Sequence, residues 1–320
     1  MEQNRQSPRD HTNKSNARKE FQDEANNSTD DKEFSEDLSR VLDFLAINEQ
    51  LIQFRRKRHL SIEREHTLMR KAMGFNIRTY FFGSQAEGTT TSGLMSDIDL
   101  LQHFETFRLF LESENPPLQP YDHQIVLMVI TNVCAPQYCF LLLIEPSKQA
   151  RRFQKIDPKK VPVDCVDFYR VMADCIKSNN NTTGVMIPHT IMFGTLNQYP
   201  DKIKKANAKR HGPAESIWHT DHVNACYCKS LPKQCNIVFE RPRPGHWPSN
   251  KTLKKAKKYG VFIVPQGPPK STNICTYDNF DYQWRISTNL TERLFMFSLN
   301  TVHLKAYILT KMIRKELFVP

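Results

Sequence analysis

The sequence contains Gly83-Ser84-Gln85-Ala86-Glu87-Gly88 and, after a short loop, Ser96-Asp97-Ile98-Asp99-Leu100. Residues i and i+2 of a strand face the same side, so Asp97 and Asp99 would present their carboxylates together. Carboxylates this close repel each other unless a cation lies between them, and oxygen ligands of this kind favour Mg²⁺. Surface loops often carry Asp-x-Asp alone, but the Gly-Ser turn upstream would also let backbone N–H groups approach a phosphate. The stretch therefore predicts a strand, a tight turn and a second strand around a metal and phosphate site.

Metal-assisted phosphoryl transfer commonly uses a further carboxylate from a neighbouring strand. The residues alone leave several candidates, which include Asp164, Asp167, Asp174 and Asp221. Asp221 is followed by His222-Val223-Asn224-Ala225-Cys226-Tyr227, which can be interpreted as a short strand. The sequence by itself does not choose among them.

Composition limits the class of protein. The chain has 320 residues, 39% of them hydrophobic, which is enough for a substantial core. No apolar run approaches the ~20 residues of a membrane-spanning helix, and the polar N-terminus does not look like a secretory signal. Eight scattered cysteines indicate a reducing compartment. We therefore expect a protein without a membrane span, located in the cytoplasm, with the nucleus as the alternative.

The net charge of +11 comes from Lys and Arg residues that are clustered along the chain. The first cluster is Arg55-Arg56-Lys57-Arg58, and further clusters lie near residues 151–160, 202–210 and 251–258. Clustered cations attract polyanions without reading base sequence. Solvated helix faces are the alternative explanation for any single cluster. The repetition favours nucleic-acid contact, which we assign to Arg55, Arg56, Lys57 and Arg58.

The pattern along the chain predicts the following organisation. Residues 1–35 are polar and are expected to be a disordered tail. Helical spacing of apolar residues from Phe34 to Met73 predicts one long helix. Residues 175–215 are expected to form a long loop mixed with helix. Strands are predicted at Thr79–Phe82, Asp97–Leu101, Ile125–Val133 and Tyr138–Ile144.

Three segments resemble the Mab-twenty-one-like family of nucleotidyltransferases, which includes the cyclic GMP-AMP synthase-like receptors. Phe82–Leu101 is similar to the family's metal-site signature. His211-Gly212-Pro213-Ala214, with Asp221–Ala225, is similar to the segment that carries its third aspartate. Trp284-Arg285-Ile286-Ser287, with Glu292 and Leu304–Lys311, is similar to the segment that leads into its helical lobe. The three segments occur in the family's order.

The resemblance implies an α+β nucleotidyltransferase fold, a mixed β-sheet flanked by helices with a long N-terminal spine helix. It places the nucleotidyltransferase core at residues 36–288 and the start of a C-terminal helical lobe at 289–320. Family members continue with further helices, so we expect most of that lobe to be missing from this chain. The missing part would include the aromatic residue that stacks on the nucleobase.

The resemblance also implies site residues. Asp97, Asp99 and Asp221 would be catalytic and would hold Mg²⁺ (or Mn²⁺), while Gly83 and Ser84 would cradle the triphosphate of ATP or GTP. Arg285 and Lys311 would contact the nucleotide. The alternatives are a solvated lysine at position 311 and a buried ion pair of Arg285 beside Trp284. Cys226, Cys228 and Cys235 lack a second pair at zinc spacing, and we predict buried structural thiols.

The expected function is formation of a cyclic dinucleotide from ATP and GTP when double-stranded RNA or DNA is sensed. Ligand-bridged dimers are common in the family and would be expected here. Two alternatives remain open: a catalytically silent binding or developmental protein, and an enzyme that makes linear oligonucleotides. The three aspartates favour an enzyme, and the missing helical lobe favours the silent protein.

Overall fold

The computed structural model describes residues 30–90, 98–116, 124–178, 184–193, 208–217, 219–243, 245, 247–269 and 280–318. The predicted disordered tail lies outside these residues, except for 30–35, which are helical. The helices are α1 (30–44), α2 (Glu49–Ala72), α3 (Gly83–Glu87), α4 (Pro146–Lys155), α5 (Val163–Ser178), α6 (Ile237–Glu240), α7 (Asn250–Ala256), α8 (Asn289–Ser298) and α9 (Thr301–Phe318). The strands are β1 (Ile77–Phe82), β2 (Ile98–Phe104), β3 (Phe107–Leu111), β4 (Ile125–Ile130), β5 (Tyr138–Ile144), β6 (Gly184–Met186), β7 (Ala208–His211), β8 (Ala214–Ile217), β9 (Thr220–Cys228), β10 (Val261–Val264) and β11 (Gln283–Ser287).

The prediction of one long helix from Phe34 to Met73 is wrong, because the chain breaks between α1 and α2. Ala46 has a left-handed backbone with φ of 64°, which ends α1. The Asn48 side chain then accepts a hydrogen bond from the Leu51 N–H at 3.0 Å. This is the bond that an N-cap residue makes, so Asn48 begins a new helix. The helical spacing of apolar residues continues across the break, so this spacing alone could not reveal that the helix ends.

Six strands close into a mixed barrel. Strands β9, β10, β11, β5, β4 and β3 are neighbours in that order, and β3 pairs in parallel with β9 through Leu109 and Cys228. Closure follows from the path of β3, which continues from β2 after Glu105 and Thr106 and stays beside β9. The predicted nucleotidyltransferase fold, a mixed β-sheet flanked by helices, is therefore wrong, because that fold has an open sheet and this sheet closes into a barrel. The pairing that closes the barrel joins strands more than a hundred residues apart in the sequence. Local periodicity cannot predict a pairing between such distant strands.

Strand β9 is shared by the barrel and a second sheet. Its first residues pair in parallel with β2 on one side and antiparallel with β8 on the other, while its last residues pair with β10 and β3. Strand β1 pairs with β2, and β7 pairs with β8. The region expected to be a loop with helix thus contributes β6 and the β7–β8 hairpin. The shared strand fixes the start of β2 beside the start of β9.

The main core contains side chains from all six barrel strands and from α5. Ile125, Leu127 and Leu141 are fully buried, as is Trp284, whose indole N–H donates to the Ile187 carbonyl at 2.8 Å. The predicted burial of Cys226, Cys228 and Cys235 is confirmed. Burial raises the pKa of these thiols, to about 12 for Cys228 and about 11 for Cys235. They are packing residues rather than reactive ones.

Contacts divide the described residues into two compact units: 30–51 and 301–318 belong to the first, and those from 52 to 300 belong to the second. In the first unit Leu304 and Ile308 are buried, as their helical spacing predicts. Lys305 forms a 2.7 Å ion pair with Asp43 and donates to Ser39 Oγ at 2.7 Å. Among the described helices, none has the length and apolar character needed to cross a membrane.

Candidate active site

Asp99 and Asp221 are direct neighbours across two parallel strands. Asp99 is the second residue of β2, Asp221 is the second residue of β9, and the two are paired in register. Paired residues on adjacent strands point to the same face, with backbones about 4.8 Å apart. Two of the three predicted catalytic carboxylates therefore lie side by side, whereas Asp97 lies outside the described residues.

The predicted phosphate turn lies against the Asp99 carboxylate. Phe82, the last residue of β1, pairs with Asp99, and Gly83 follows with φ of +74°. A Cβ added at Gly83 would overlap the Asp99 carboxylate oxygen Oδ2. The Ser84 carbonyl accepts from the Thr89 N–H at 2.9 Å and holds the turn closed. Glycine is required at position 83 by both its backbone conformation and this close approach.

A cavity of about 130 Å³ opens beside Asp99. Its apolar lining includes Phe82, Leu101, Val223 and Val264, together with Pro213 of the β7–β8 turn. Its polar lining consists of Asp99, Arg285, Ser287 and Asn289. The cavity thus combines an apolar surface with a carboxylate and a cation.

The structure brings Arg285 to this cavity and excludes a buried ion pair for it. Trp284 is fully buried, and the alternation along β11 turns Arg285 to the exposed side. The Arg285 guanidinium donates to Gln266 Oε1 at 3.1 Å. Ser287, two residues further, lines the same cavity and donates to Asn289 Oδ1 at 2.5 Å. Ser287 was not among the predicted site residues. Its i+2 spacing from Arg285 on one strand indicates that the two side chains share a face.

Asp221 also has a hydroxyl partner, Ser216, which was not among the predicted site residues. Ser216 of β8 lies opposite Asp221, and its hydroxyl donates to Asp221 Oδ1. Both residues are partly buried. The next residue, His222, points to the other face, where burial and Arg70 lower its pKa. Ser216 therefore orients the Asp221 carboxylate.

Lys311 belongs to the other compact unit. It lies on α9 with its Nζ atom 4.6 Å from the centroid of the Tyr307 ring. Its predicted contact with nucleotide stays a prediction.

Two of the four basic residues assigned to nucleic acid point into the protein, and the other two point to solvent. Arg56 is only 3% exposed and donates to the carbonyls of Glu87 at 2.8 Å and Met296 at 3.1 Å. Arg55 is half-buried and donates to the Thr90 carbonyl at 3.1 Å. Lys57 and Arg58 are exposed. The assignment of Arg56 to a nucleic-acid surface is therefore wrong, because its guanidinium is used inside the protein.

In the part of the chain that the structure describes, no group of three or more His, Cys, Asp or Glu side chains could hold a metal ion. The predicted set of three carboxylates includes Asp97, which is not in that part. Two adjacent carboxylates, Asp99 and Asp221, are present and offer the hard oxygen ligands that Mg²⁺ or Mn²⁺ prefers.

No protein-family model matches the chain, and no curated protein is similar to it. The resemblance to the Mab-twenty-one-like family stays a prediction that rests on the quoted segments.

Proposed function

We propose that this protein is a Mg²⁺- or Mn²⁺-dependent nucleotidyltransferase that uses ATP and GTP and makes a cyclic dinucleotide. The observation that carries the proposal is the in-register pair of Asp99 and Asp221 with the Gly83 turn against Asp99. The proposal rests on this site and not on the fold, since one chemistry recurs on unrelated folds.

The residues present fit a divalent ion. Asp99 and Asp221 would hold it, with Asp97 as the third predicted ligand. When bound, divalent ions neutralise charge on the transferring phosphoryl group and lower the pKa of the attacking hydroxyl. Ser216 holds Asp221 in one orientation, so that Asp221 could take the proton of a ribose hydroxyl that attacks the α-phosphate in line. The bond between the α- and β-phosphates would break, and pyrophosphate would leave.

The nucleotide would lie across the turn and the cavity. Gly83 places no side chain between its backbone and the Asp99 carboxylate, so a triphosphate bound at the turn would lie close to that carboxylate. Arg285, on the cavity wall, would pair with phosphate oxygens, because a guanidinium prefers an anionic partner to the neutral Gln266 amide. The apolar lining that includes Leu101, Val223 and Val264 would support the sugar or the nucleobase.

Double-stranded RNA or DNA is proposed to bind at the exposed cations of α2, Lys57 and Arg58. Such contact would be electrostatic and blind to base sequence. The proposed location is the cytoplasm, or the nucleus, and a ligand-bridged dimer is part of the proposal.

The test is incubation of the purified protein with labelled ATP and GTP, Mg²⁺ or Mn²⁺, and long double-stranded RNA or DNA. Asp99→Asn and Asp221→Asn should each abolish product. Asp174→Asn is the matched control, since Asp174 is 69% exposed and only pairs weakly with Lys177 at 3.8 Å. Wild-type turnover by Asp99→Asn would refute the site.

The products separate the remaining functions. A phosphatase-resistant dinucleotide supports the proposal, whereas longer linear products indicate an oligonucleotide-forming enzyme. Absence of product under every condition, with nucleic acid still bound, indicates a silent binding protein.

A further inference from the structure

Side chains of α2 occupy the outer edge of β1. In the described sheet β1 pairs with β2 alone, so its other edge presents backbone groups that need partners. Thr79 donates its N–H to Thr67 Oγ1 at 3.0 Å. Two residues along β1, the Phe81 N–H donates to Glu63 Oε2 at 3.0 Å. Because Thr67 and Glu63 are four residues apart on α2, one helix face takes the place of a neighbouring strand.

A partly buried ion pair binds both backbone groups of Phe81. Glu63 of α2 and Arg293 of α8 are 2.6 Å apart, with side chains 14% and 13% exposed. Arg293 also donates to the Phe81 carbonyl at 3.0 Å. The N–H and the C=O of one residue are thus held by the two members of one ion pair. Charge-assisted bonds of this kind are short and directional.

The pair acts on the residues that lead into the site. Phe81 precedes Phe82, which lines the cavity, and Gly83, which lies against Asp99. The Arg293 guanidinium also lies 5.0 Å from the centroid of the Phe82 ring. A shift of Phe81 along its edge would therefore move Phe82 and the turn relative to Asp99.

We propose that Glu63 and Arg293 are positioning residues, which set the distance between the Gly83–Ser84 turn and the Asp99–Asp221 pair. They touch neither the proposed nucleotide nor the proposed metal, and their role for nucleotide binding rests on the proposed function. Loss of one member leaves the other charge partly buried and without its counter-charge, so the Phe81 backbone must rearrange or admit water.

The first variant is Arg293→Met, which removes the hydrogen bonds to Glu63 and to the Phe81 carbonyl. The second is Glu63→Gln, which keeps an acceptor for the Phe81 N–H but loses the charge. Arg78→Met is the matched control: Arg78 also lies on β1 and forms a 2.7 Å ion pair with Glu105, far along the strand from the turn. If Arg293→Met does not fold, Glu63→Gln carries the test.

The first measurement is amide hydrogen exchange of peptides covering residues 83–89, where Gly88 and Thr89 donate to Gln85 and Ser84. The second is affinity for ATP with Mn²⁺ by titration calorimetry. Both positioning variants should exchange faster at 83–89 and bind ATP more weakly, each by about tenfold, which corresponds to about 1.4 kcal/mol. The Arg78→Met control should match the wild type in both.

Exchange at 83–89 equal to that of the control would overturn the proposal, and so would equal loosening of every strand, which would indicate a general loss of stability. A wild-type protein that binds no ATP refutes the proposed function instead. In that case the exchange measurement still decides whether the pair holds the turn.

Discussion

Gly83 belongs to the predicted phosphate turn, and its backbone lies directly against the Asp99 carboxylate. Alanine there would keep an unfavourable left-handed φ and would place its Cβ on the Asp99 carboxylate. We expect Gly83→Ala to lower turnover on the order of 100-fold, since displacements near 1 Å in a reacting site have effects of this size. Turnover of labelled ATP and GTP is the measurement.

Gly245→Ala is the control for backbone strain. Gly245 has φ of +73°, but a Cβ there would meet nothing within 4 Å. Both variants therefore share a strain of about 1 kcal/mol, and only Gly83→Ala disturbs a carboxylate. Equal activity of the two variants would contradict the close approach to Asp99.

His103 predicts how stability depends on pH. It is 8% exposed, and burial lowers its pKa from 6.5 to about 4. Between these values the unfolded chain takes up a proton and the folded chain does not, so stability falls as the pH falls from 6.5 towards 4. The loss attributable to His103 should be about 2 kcal/mol between pH 7 and pH 5.

Urea unfolding at several pH values checks this prediction. His103→Phe keeps an aromatic ring beside Tyr227 and Phe262 and should remove this part of the pH dependence. The exposed His211, replaced by Gln, should leave it unchanged. A variant His103→Phe as acid-sensitive as the wild type would show that the buried imidazole is not the cause.

At the scale of the element, α2 has two basic faces with different roles. Arg56→Met should destabilise the protein by about 3 kcal/mol, because the carbonyls of Glu87 and Met296 lose a buried charged donor. Arg58→Met should change stability by less than about 0.5 kcal/mol, because Arg58 is exposed. Urea unfolding measures both changes.

For binding to double-stranded RNA, Arg58→Met should have a larger effect than Arg56→Met, the opposite of their effects on stability. Arg58→Met should weaken binding and make its salt dependence shallower by about one unit of slope, as expected for one lost phosphate contact. Fluorescence anisotropy at several salt concentrations measures this. Unchanged binding would mean that α2 is not the contact surface.

At the scale of the whole molecule, closure of the barrel should protect its thiols. Cys139 and Cys226 are fully buried, and burial raises their pKa well above the ordinary value. Cys134 and Cys175 are partly exposed. Among the cysteines that the structure describes, alkylation of the native protein should therefore modify Cys134 and Cys175 first, while Cys139 and Cys226 react only as the protein unfolds.

Mass spectrometry of alkylated peptides locates the modified thiols, and labelling in urea shows that each can react. Rapid labelling of Cys139 or Cys226 in native buffer would contradict a closed core.

Local pattern was sufficient for several elements. Tyr138–Ile144 is a strand with the predicted bounds, and Thr79–Phe82 lies within β1. Alternation and apolar content determine such buried strands, whatever their neighbours. The helix expected from Phe34 to Met73 failed at Asn48, where a capping bond outweighed periodicity.

By itself, the sequence determined which short segments could carry the chemistry: a Gly-Ser turn, a strand beginning near Asp99, and a strand beginning near Asp221. These depend on neighbours in the chain. The tertiary structure alone decided that Asp99 faces Asp221, that Ser216 holds Asp221, and that Arg56 turns inward. It also decided that the sheet closes into a barrel. Such outcomes depend on register and on pairing between distant strands, where a shift of one residue would turn every side chain to the other face.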